Sequence, residues 1–508
     1  MAALTPDKII AVIGAGTMGA GVAQVAAQAG HQVLLFDANA GAAQQGIDRT
    51  LAGIDKLVEK GKIAAAEREV LAQRLVAVEK LEDLAPAHLV IEAIVERLDI
   101  KQSVFKQLED ICAPDTLLAT NTSSLSVTAI GAALKRPERL AGMHFFNPAP
   151  IMKLVEIISG LATTPEVLTT LVETAQAWGK QTVQAKSTPG FIVNRVARPF
   201  YAEGLRVLQE GGTDVVTIDA IMRESGNFRM GPFELMDLIG QDVNYAVTCS
   251  VHDAYYGDPR FMPSLIQKEL VDAGFLGRKT GRGFYNYAKD ATPPQPSHAP
   301  QCDRPESVTI IGTAPFAESI INQIKTAGMH LEIEKGDNEE DFIILAGEAC
   351  LVLTDGRMAT QVAVEDEISD LVLFDLALDY GTAKRIALAP ADQTHPDALN
   401  DAIGFWQALG KQVSVIDDIP GMCVMRTVAM LANEGADAVN QGVCRAKDVD
   451  IAMQNGVNYP KGPLAWADSL GVARVLNVLD NLQTIYGEDR YRASPLLLRT
   501  ALTGGTLV

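Results

Sequence analysis

Basic residues are scarce in this chain. Its 508 residues carry 63 Asp and Glu against 43 Lys and Arg, a formal charge of −20. That balance excludes general nucleic-acid binding, which depends on phosphate neutralisation by Lys and Arg. An anionic ligand would need a local basic patch. Cysteine is sparse as well. The six cysteines include no CxxC pair, and their spacing suits neither a zinc site nor a disulfide framework. We therefore expect reduced thiols, no bound metal and a cytoplasmic protein. The opening "MAALTPDKII" lacks a basic region followed by an apolar signal core. Long apolar runs are missing too. Ile9 to Gly30 carries no charge and is long enough to tempt a membrane reading. Its five glycines and three polar residues divide it into a short apolar run and a glycine turn, so no membrane segment is expected.

What remains is a long, well-buried chain. A hydrophobic share of 48% is ample for several cores, and the length suggests about three or four domains. The run Ile9–Ile13 is rich in β-formers. Gly14, Ala15, Gly16, Thr17, Met18 and Gly19 follow in G-x-G-x-x-G spacing, and then an Ala-rich amphipathic helix. The first glycine permits a tight turn, the second lets a diphosphate approach the backbone, and the third lets helix and strand pack closely. The helix N-terminus offers that diphosphate free N–H groups and a positive dipole end. A second strand, "HQVLLFDAN", ends at Asp37, 18 residues past Gly19. A carboxylate there accepts hydrogen bonds from ribose hydroxyls and repels a 2′-phosphate, which favours NAD over NADP. FAD uses the same fingerprint and stays open at this point.

Further strands at 88–94, 117–123 and 139–146 fit a doubly wound sheet. Ligands of such sheets bind beyond the carboxyl ends of the strands. Glu96, Ser123 and His144 lie at or just past those ends. Oxidation of an alcohol by NAD needs a base for the hydroxyl proton, and histidine suits that role. Glu156, twelve residues after His144 in "HFFNPAPIMKLVE", would fix the imidazole if the Asn147–Pro150 segment turns the chain back. The residues alone leave two readings open: a packed histidine with a strand-face glutamate, or a base with its orienting carboxylate.

The motifs "GAGTMGAG", "EAIVE", "NTSSL", "HFFNPAPIMKLVE", "PGFIVNR" and "MGPFELMDLIG", in this order across about residues 7 to 287, together closely resemble the 3-hydroxyacyl-CoA dehydrogenase family. The resemblance implies NAD-dependent oxidation of (S)-3-hydroxyacyl-CoA to 3-ketoacyl-CoA. It further implies that His144 is the base, Glu156 its partner, Ser123 a substrate-binding serine and Asn194 an active-site asparagine. Glu96, Lys101, Asn147 and Lys279 match the family's cofactor contacts. A related class of β-hydroxyacid dehydrogenases uses a lysine base. Here arginine follows Asn194 and no lysine is near it, which disfavours that class. Lys56 and Lys60, on one face of an expected helical hairpin, fall where the family contacts CoA; a solvated charged face is the other reading.

The second half repeats the first. "WGKQTVQAKSTPGFIVNRV" aligns with "LGKQVSVIDDIPGMCVMRT", and "GNFRMGPFELMDLIG" with "VNYPKGPLAWADSLG", both at an offset of 231. Only Gly312 survives of a second glycine fingerprint; Met425 stands where Asn194 should recur, and neither His nor Glu recurs at the matching places. The expected architecture is an α/β Rossmann-type NAD domain (1–187) and an all-α domain (188–290). A Pro-rich linker (291–306), a degenerate Rossmann-like domain (307–417) that binds no NAD, and a second all-α domain (418–508) follow. By analogy with short family members, which pair through their helical domains, the two helical copies are expected to pack on each other as an intrachain pseudo-dimer; a homo-oligomer stays open. Chains of this length with "FRMGPFELMDLIG" resemble the branch acting in phenylacetate degradation, which implies 3-hydroxyadipyl-CoA as substrate. Arg229, before the "MGPFE" turn, would grip the distal carboxylate, or be a surface arginine. The alternatives are a general short-chain 3-hydroxybutyryl-CoA dehydrogenase and a non-catalytic NAD-binding protein.

Overall fold

The computed structural model describes residues 2–336 and 342–508. The chain forms two compact units. The first comprises Met1–Arg195 with Gln441–Val457, the second Val196–Asn440 with Asn458–Val508.

The first unit is built on eight strands: β1 (Ile10–Ile13), β2 (Val33–Phe36), β3 (Leu75–Val78), β4 (Leu89–Glu92), β5 (Leu117–Thr120), β6 (Leu140–Phe145), β7 (Leu154–Ser159) and β8 (Gln181–Lys186). Their order is β3-β2-β1-β4-β5-β6-β7-β8. The pairing is parallel from β3 to β6. β7 runs antiparallel to β6, and β8 parallel to β7. Strands β1, β4, β5 and β6 are buried at every residue, the pattern of parallel strands covered on both faces. β8 alternates exposed and buried residues at the sheet's edge. The helix Thr17–Gln28 brings Val22, Ala23, Ala26 and Ala27 into the core beside Ile10, Val12, Val33 and Leu35. Helices Ala42–Glu59 and Ala65–Arg74 pack together as the expected hairpin. The helix Ala446–Gly456, from late in the sequence, packs on β7 and β8.

The second unit holds β9 (Ser307–Gly312), β10 (His330–Glu334), β11 (Phe342–Ala346), β12 (Ala349–Leu353), β13 (Leu371–Phe374), β14 (Arg385–Pro390) and β15 (Gln412–Val415) in the order β10-β9-β11-β12-β13-β14-β15. β11 is antiparallel to both β9 and β12. A hairpin thus stands where the first sheet has β4, the crossover helix Leu98–Ile111 and β5. This is a reduced version of the same sheet.

The two helical copies meet inside this unit, where helix Arg198–Gln209 packs on helix Val424–Asn440. Arg426 Nε donates to Glu203 Oε2 at 3.0 Å, and both groups are buried. "YGDPRF" and "YGEDRY" align Arg260 with Arg490, as the 231 offset aligns Glu203 with Glu434. Arg260 Nη1 lies 3.3 Å from Glu434, and Arg490 Nη1 lies 3.8 Å from Glu203. Each copy offers its arginine to the other's glutamate, the reciprocity of an isologous interface.

Candidate active site

The glycine turn leaves β1 with Gly14 at φ +98, a conformation that favours glycine. A Cβ on Gly19 would collide with the Gly14 carbonyl, whereas one on Gly16 would meet open space. The close strand–helix approach therefore falls at Gly19 and the free space at Gly16. Helix Thr17–Gln28 has no side-chain cap at Gly16, so its first N–H groups face that space. Asp37 ends β2 beside the turn; its Oδ2 accepts from Ala15 N at 2.8 Å, and its Oδ1 from Asn39 N at 2.9 Å. A carboxylate so placed keeps lone pairs for ribose hydroxyls. These residues fit a dinucleotide without a 2′-phosphate.

At the end of β4 the structure adds a group that the sequence did not single out. Glu92 is fully buried and accepts from Lys101 Nζ at 2.6 Å and Thr120 Oγ1 at 2.7 Å. Lys101 is itself buried and lies 3.3 Å from Glu96 Oε2. Glu96 Oε1 gathers Thr122 Oγ1, Ser123 N and Ser124 N within 3.0 Å. Burial raises the Glu96 carboxyl, but Lys101 and these hydrogen bonds outweigh it and hold the group below its ordinary range. Lys101 thus supports Glu96 from inside, and Glu96 shapes the loop that carries Ser123.

His144 and Glu156 are directly opposed across β6 and β7. His144 Nδ1 stands 2.7 Å from Glu156 Oε2, with the carboxylate wholly buried and the imidazole nearly so. The other oxygen of Glu156 accepts from Ile192 N at 3.1 Å and Val193 N at 3.0 Å. One carboxylate therefore fixes the histidine and holds the start of the one-turn helix Val193–Val196. That helix carries Asn194, whose Nδ2 lies 3.4 Å from Ser123 O. Phe146 and Phe191 flank the imidazole, with ring centroids 4.5 and 5.9 Å away. With Nδ1–H given to the carboxylate, Nε2 is the acceptor nitrogen. The intervening turn contains a cis Asn147–Pro148 bond. The buried Lys180 Nζ donates to Ala149 O and Met152 O at 2.5 and 2.8 Å, and burial lowers its pKa. Lys180 was legible only as part of a repeat: Lys411, 231 residues on, donates to Gly381 O and Ala383 O in the same way.

Ser123, His144, Glu156 and Asn194 thus lie in one unit with the glycine turn, Asp37, Glu96, Lys101 and the exposed Asn147. Lys56 and Lys60 are exposed near the end of helix Ala42–Glu59 in that same unit. Lys279 belongs to the second unit, where its Nζ pairs with Asp242 Oδ1 at 2.5 Å. Arg229 is an exposed residue of that second unit.

Three family models match parts of this chain. Residues 9–188 match the model described as 3-hydroxyacyl-CoA dehydrogenase, NAD binding domain. Residues 190–287 and 421–506 both match the 3-hydroxyacyl-CoA dehydrogenase C-terminal domain. Residues 351–420 match a 3-hydroxybutyryl-CoA dehydrogenase reduced Rossmann-fold domain. A 3-hydroxyadipyl-CoA dehydrogenase of Escherichia coli (strain K12) is 46% identical over 495 residues, covering 97% of this chain and 98% of the relative. A probable 3-hydroxybutyryl-CoA dehydrogenase of Bacillus subtilis (strain 168) is 42% identical over 280 residues, 55% of this chain and 97% of its own length. The crystal structure of a 3-hydroxybutyryl-CoA dehydrogenase from E. coli K12 superposes with a TM-score of 0.89 at 45% identity, covering 99% of each chain. Matched in both halves by these descriptions, and aligned almost end to end with a relative, the chain belongs to the 3-hydroxyacyl-CoA dehydrogenase family of NAD-dependent oxidoreductases.

Proposed function

We propose that His144 removes the hydroxyl proton of an (S)-3-hydroxyacyl-CoA at Nε2, with Glu156 holding the imidazole in the accepting tautomer. The observation that carries this reading is the 2.7 Å contact between His144 Nδ1 and Glu156 Oε2. As the proton arrives, the buried carboxylate stabilises the imidazolium. Ser123 and Asn194 bind and orient the substrate oxygen. The Gly14–Gly19 turn, Asp37, Glu96 and Asn147 hold NAD, with Lys101 acting through Glu96. Lys279 is proposed as a further cofactor contact. NAD, when bound, accepts the hydride. Lys56 and Lys60 supply the local positive charge that an acidic protein needs for CoA. Replacing His144 by Gln tests the assignment: NADH formation should collapse while NAD binding persists.

For the acyl group we propose 3-hydroxyadipyl-CoA. The support is the full-length likeness to a relative bearing that name. Arg229 is the candidate reader of the distal carboxylate. A panel of 3-hydroxyacyl-CoA substrates tests this, with Arg229→Ala compared on hydroxyadipyl- and hydroxybutyryl-CoA. Equal losses on both would remove Arg229 from that role. The second reading, 3-hydroxybutyryl-CoA, is favoured by the full-length structural neighbour, which bears the name of a 3-hydroxybutyryl-CoA dehydrogenase. We further propose a cytoplasmic location. The reciprocal Arg–Glu pairs support reading the helical copies as an intrachain pseudo-dimer. The limits 1–187, 188–290, 291–306, 307–417 and 418–508 are proposed as units of duplication, distinct from the compact units of the fold.

A further inference from the structure

The second half lacks the catalytic set, yet part of it belongs to the unit that contains that set. Residues Gln441–Val457 fold with Met1–Arg195. Val443 O accepts from Lys186 N at 2.9 Å, which extends β8 onto this segment. Helix Ala446–Gly456 then lies on β7, the strand of Glu156, and on β8.

The arrangement is reciprocal. In the second unit Gly212 O accepts from Asp417 N, also at 2.9 Å. Both partners are displaced by 231 from the first pair, 417 − 186 and 443 − 212. Helix Val215–Glu224 packs on β14, the counterpart of β7. Ser225 Oγ donates to Arg385 O at 2.7 Å, and Gly456 against Leu154 is the same pair at the same offset, 456 − 225 and 385 − 154. Each helical copy lends one helix to the other copy's sheet.

The exchange bears on chemistry in one half only. The helix Val193–Val196 is a single turn, too short to hold its own conformation. Glu156 holds its start. Gly456 packs against its side: an added Cβ would stand 3.0 Å from Val193 Cγ2 and 2.7 Å from Leu154 Cδ2. Gln441 holds its end, accepting from Arg195 Nη1 at 2.9 Å. Asn194 lies between Val193 and Arg195, and Leu154 lies two residues before Glu156.

We propose that residues 441–457 are a positioning element of the active site, with Gln441 and Gly456 as positioning residues for Asn194 and the His144–Glu156 pair. The degenerate half is then retained because it completes the competent one. The inference rests on the proposed assignment of His144, Glu156 and Asn194.

The test uses the full-length enzyme. A small misplacement of an orienting group is expected to cost kcat on the order of tenfold, while the distant glycine turn keeps the KM for NAD unchanged. Gln441→Ala, at an exposed position, should show that split, and Gln441→Glu should restore kcat because a carboxylate also accepts from Arg195. Gly456→Val should lower kcat at least as far, with thermal melting used to verify folding. Wild-type kcat in Gln441→Ala and in folded Gly456→Val would overturn the proposal, as would a loss in Gln441→Ala that Gln441→Glu fails to restore. His144→Gln separates the two readings. Retained turnover there removes the assignment of the base, and the kcat of Gln441→Ala then judges the positioning element by itself.

Discussion

Asp375 stands in the second sheet where His144 stands in the first. His144 opposes Glu156 across β6 and β7; Asp375 follows β13 and bonds through its N–H to Ala387 O, one step beyond the Phe374–Leu388 pair. Ala387 replaces Glu156, yet the carboxylate is not lost. Asp375 Oδ2 accepts from Cys423 N at 3.0 Å and Val424 N at 2.8 Å, and Oδ1 accepts from Met425 N at 3.0 Å. Cys423 and Val424 are the counterparts of Ile192 and Val193 at the 231 offset. The grip on the helix start has passed to the neighbouring strand, and the histidine has gone.

Burial pushes the Asp375 carboxyl up to about 6, against the backbone N–H groups that lower it. A carboxyl whose folded value is raised favours the fold most when protonated. Its contribution is complete below the ordinary Asp value of about 3.9 and is lost as pH rises through about 6. Relative to Asp375→Asn, the wild-type protein should therefore gain stability as pH falls from about 7 to about 4, by on the order of 2 kcal/mol. Denaturant unfolding of both proteins across that window checks the sign; a flat difference would contradict it. Asp375→Ala, which strands buried N–H groups, should lose about 2–3 kcal/mol relative to Asp375→Asn at any pH.

In the first sheet the same carboxylate has two tasks, and Glu156→Gln separates them. The amide oxygen can still accept from Ile192 N and Val193 N. The amide NH₂ then faces Nδ1 and forces the opposite tautomer, with the proton on Nε2. The fold should survive with kcat lowered about 10³–10⁴-fold. His144→Gln should fall by at least about 10²–10⁴-fold. Steady-state rates with NAD binding measured in parallel distinguish these losses from misfolding.

Much of this site was legible because its parts sit at strand ends, where the period of the apolar runs changes. The glycine turn, Asp37, Ser123 and His144 are of that kind. The pairing of His144 with Glu156 was not legible from the residues alone, because it depends on β7 returning antiparallel to β6 in one register. Glu92 was invisible for a related reason. It ends an apolar strand, and nothing local shows that Lys101, nine residues later, turns inward to meet it. The repeat showed two helical copies, but not that each lends a helix to the other's sheet. That exchange depends on contacts hundreds of residues apart, which no local periodicity encodes.

The interface between the helical copies rests on buried charge. Arg426 bonds to Glu203 Oε2, Tyr491 Oη and Pro420 O, all within 3.0 Å. Removing one partner of such a pair leaves the other charged and desolvated, at a cost of about 3–5 kcal/mol. Arg426→Met should destabilise the protein by that amount, and Arg426→Met with Glu203→Leu should recover a large part of it. A double-mutant cycle by denaturant unfolding measures the coupling; strict additivity of the two changes would contradict this account.

The two sheets should differ in cofactor capacity, and the difference follows from what fills each turn. Gly312 keeps the left-handed conformation at the end of β9, with φ +85. Beyond it the glycines are gone, and Ala317 is buried where close strand–helix packing would need glycine. Phe316 packs against Phe342 and Tyr380, with ring centroids 5.0 and 4.9 Å apart. An aromatic cluster thus stands beside the turn that in the first sheet opens into free space at Gly16. A diphosphate needs unhindered backbone N–H groups at a helix start, and here the residue at the helix start is the bulky Phe316 where a glycine would leave room. Calorimetric titration of the full-length protein with NAD should therefore give one site per chain, and Gly16→Leu should abolish it. A second saturable site, or binding that survives Gly16→Leu, would show that the second sheet retains the cofactor.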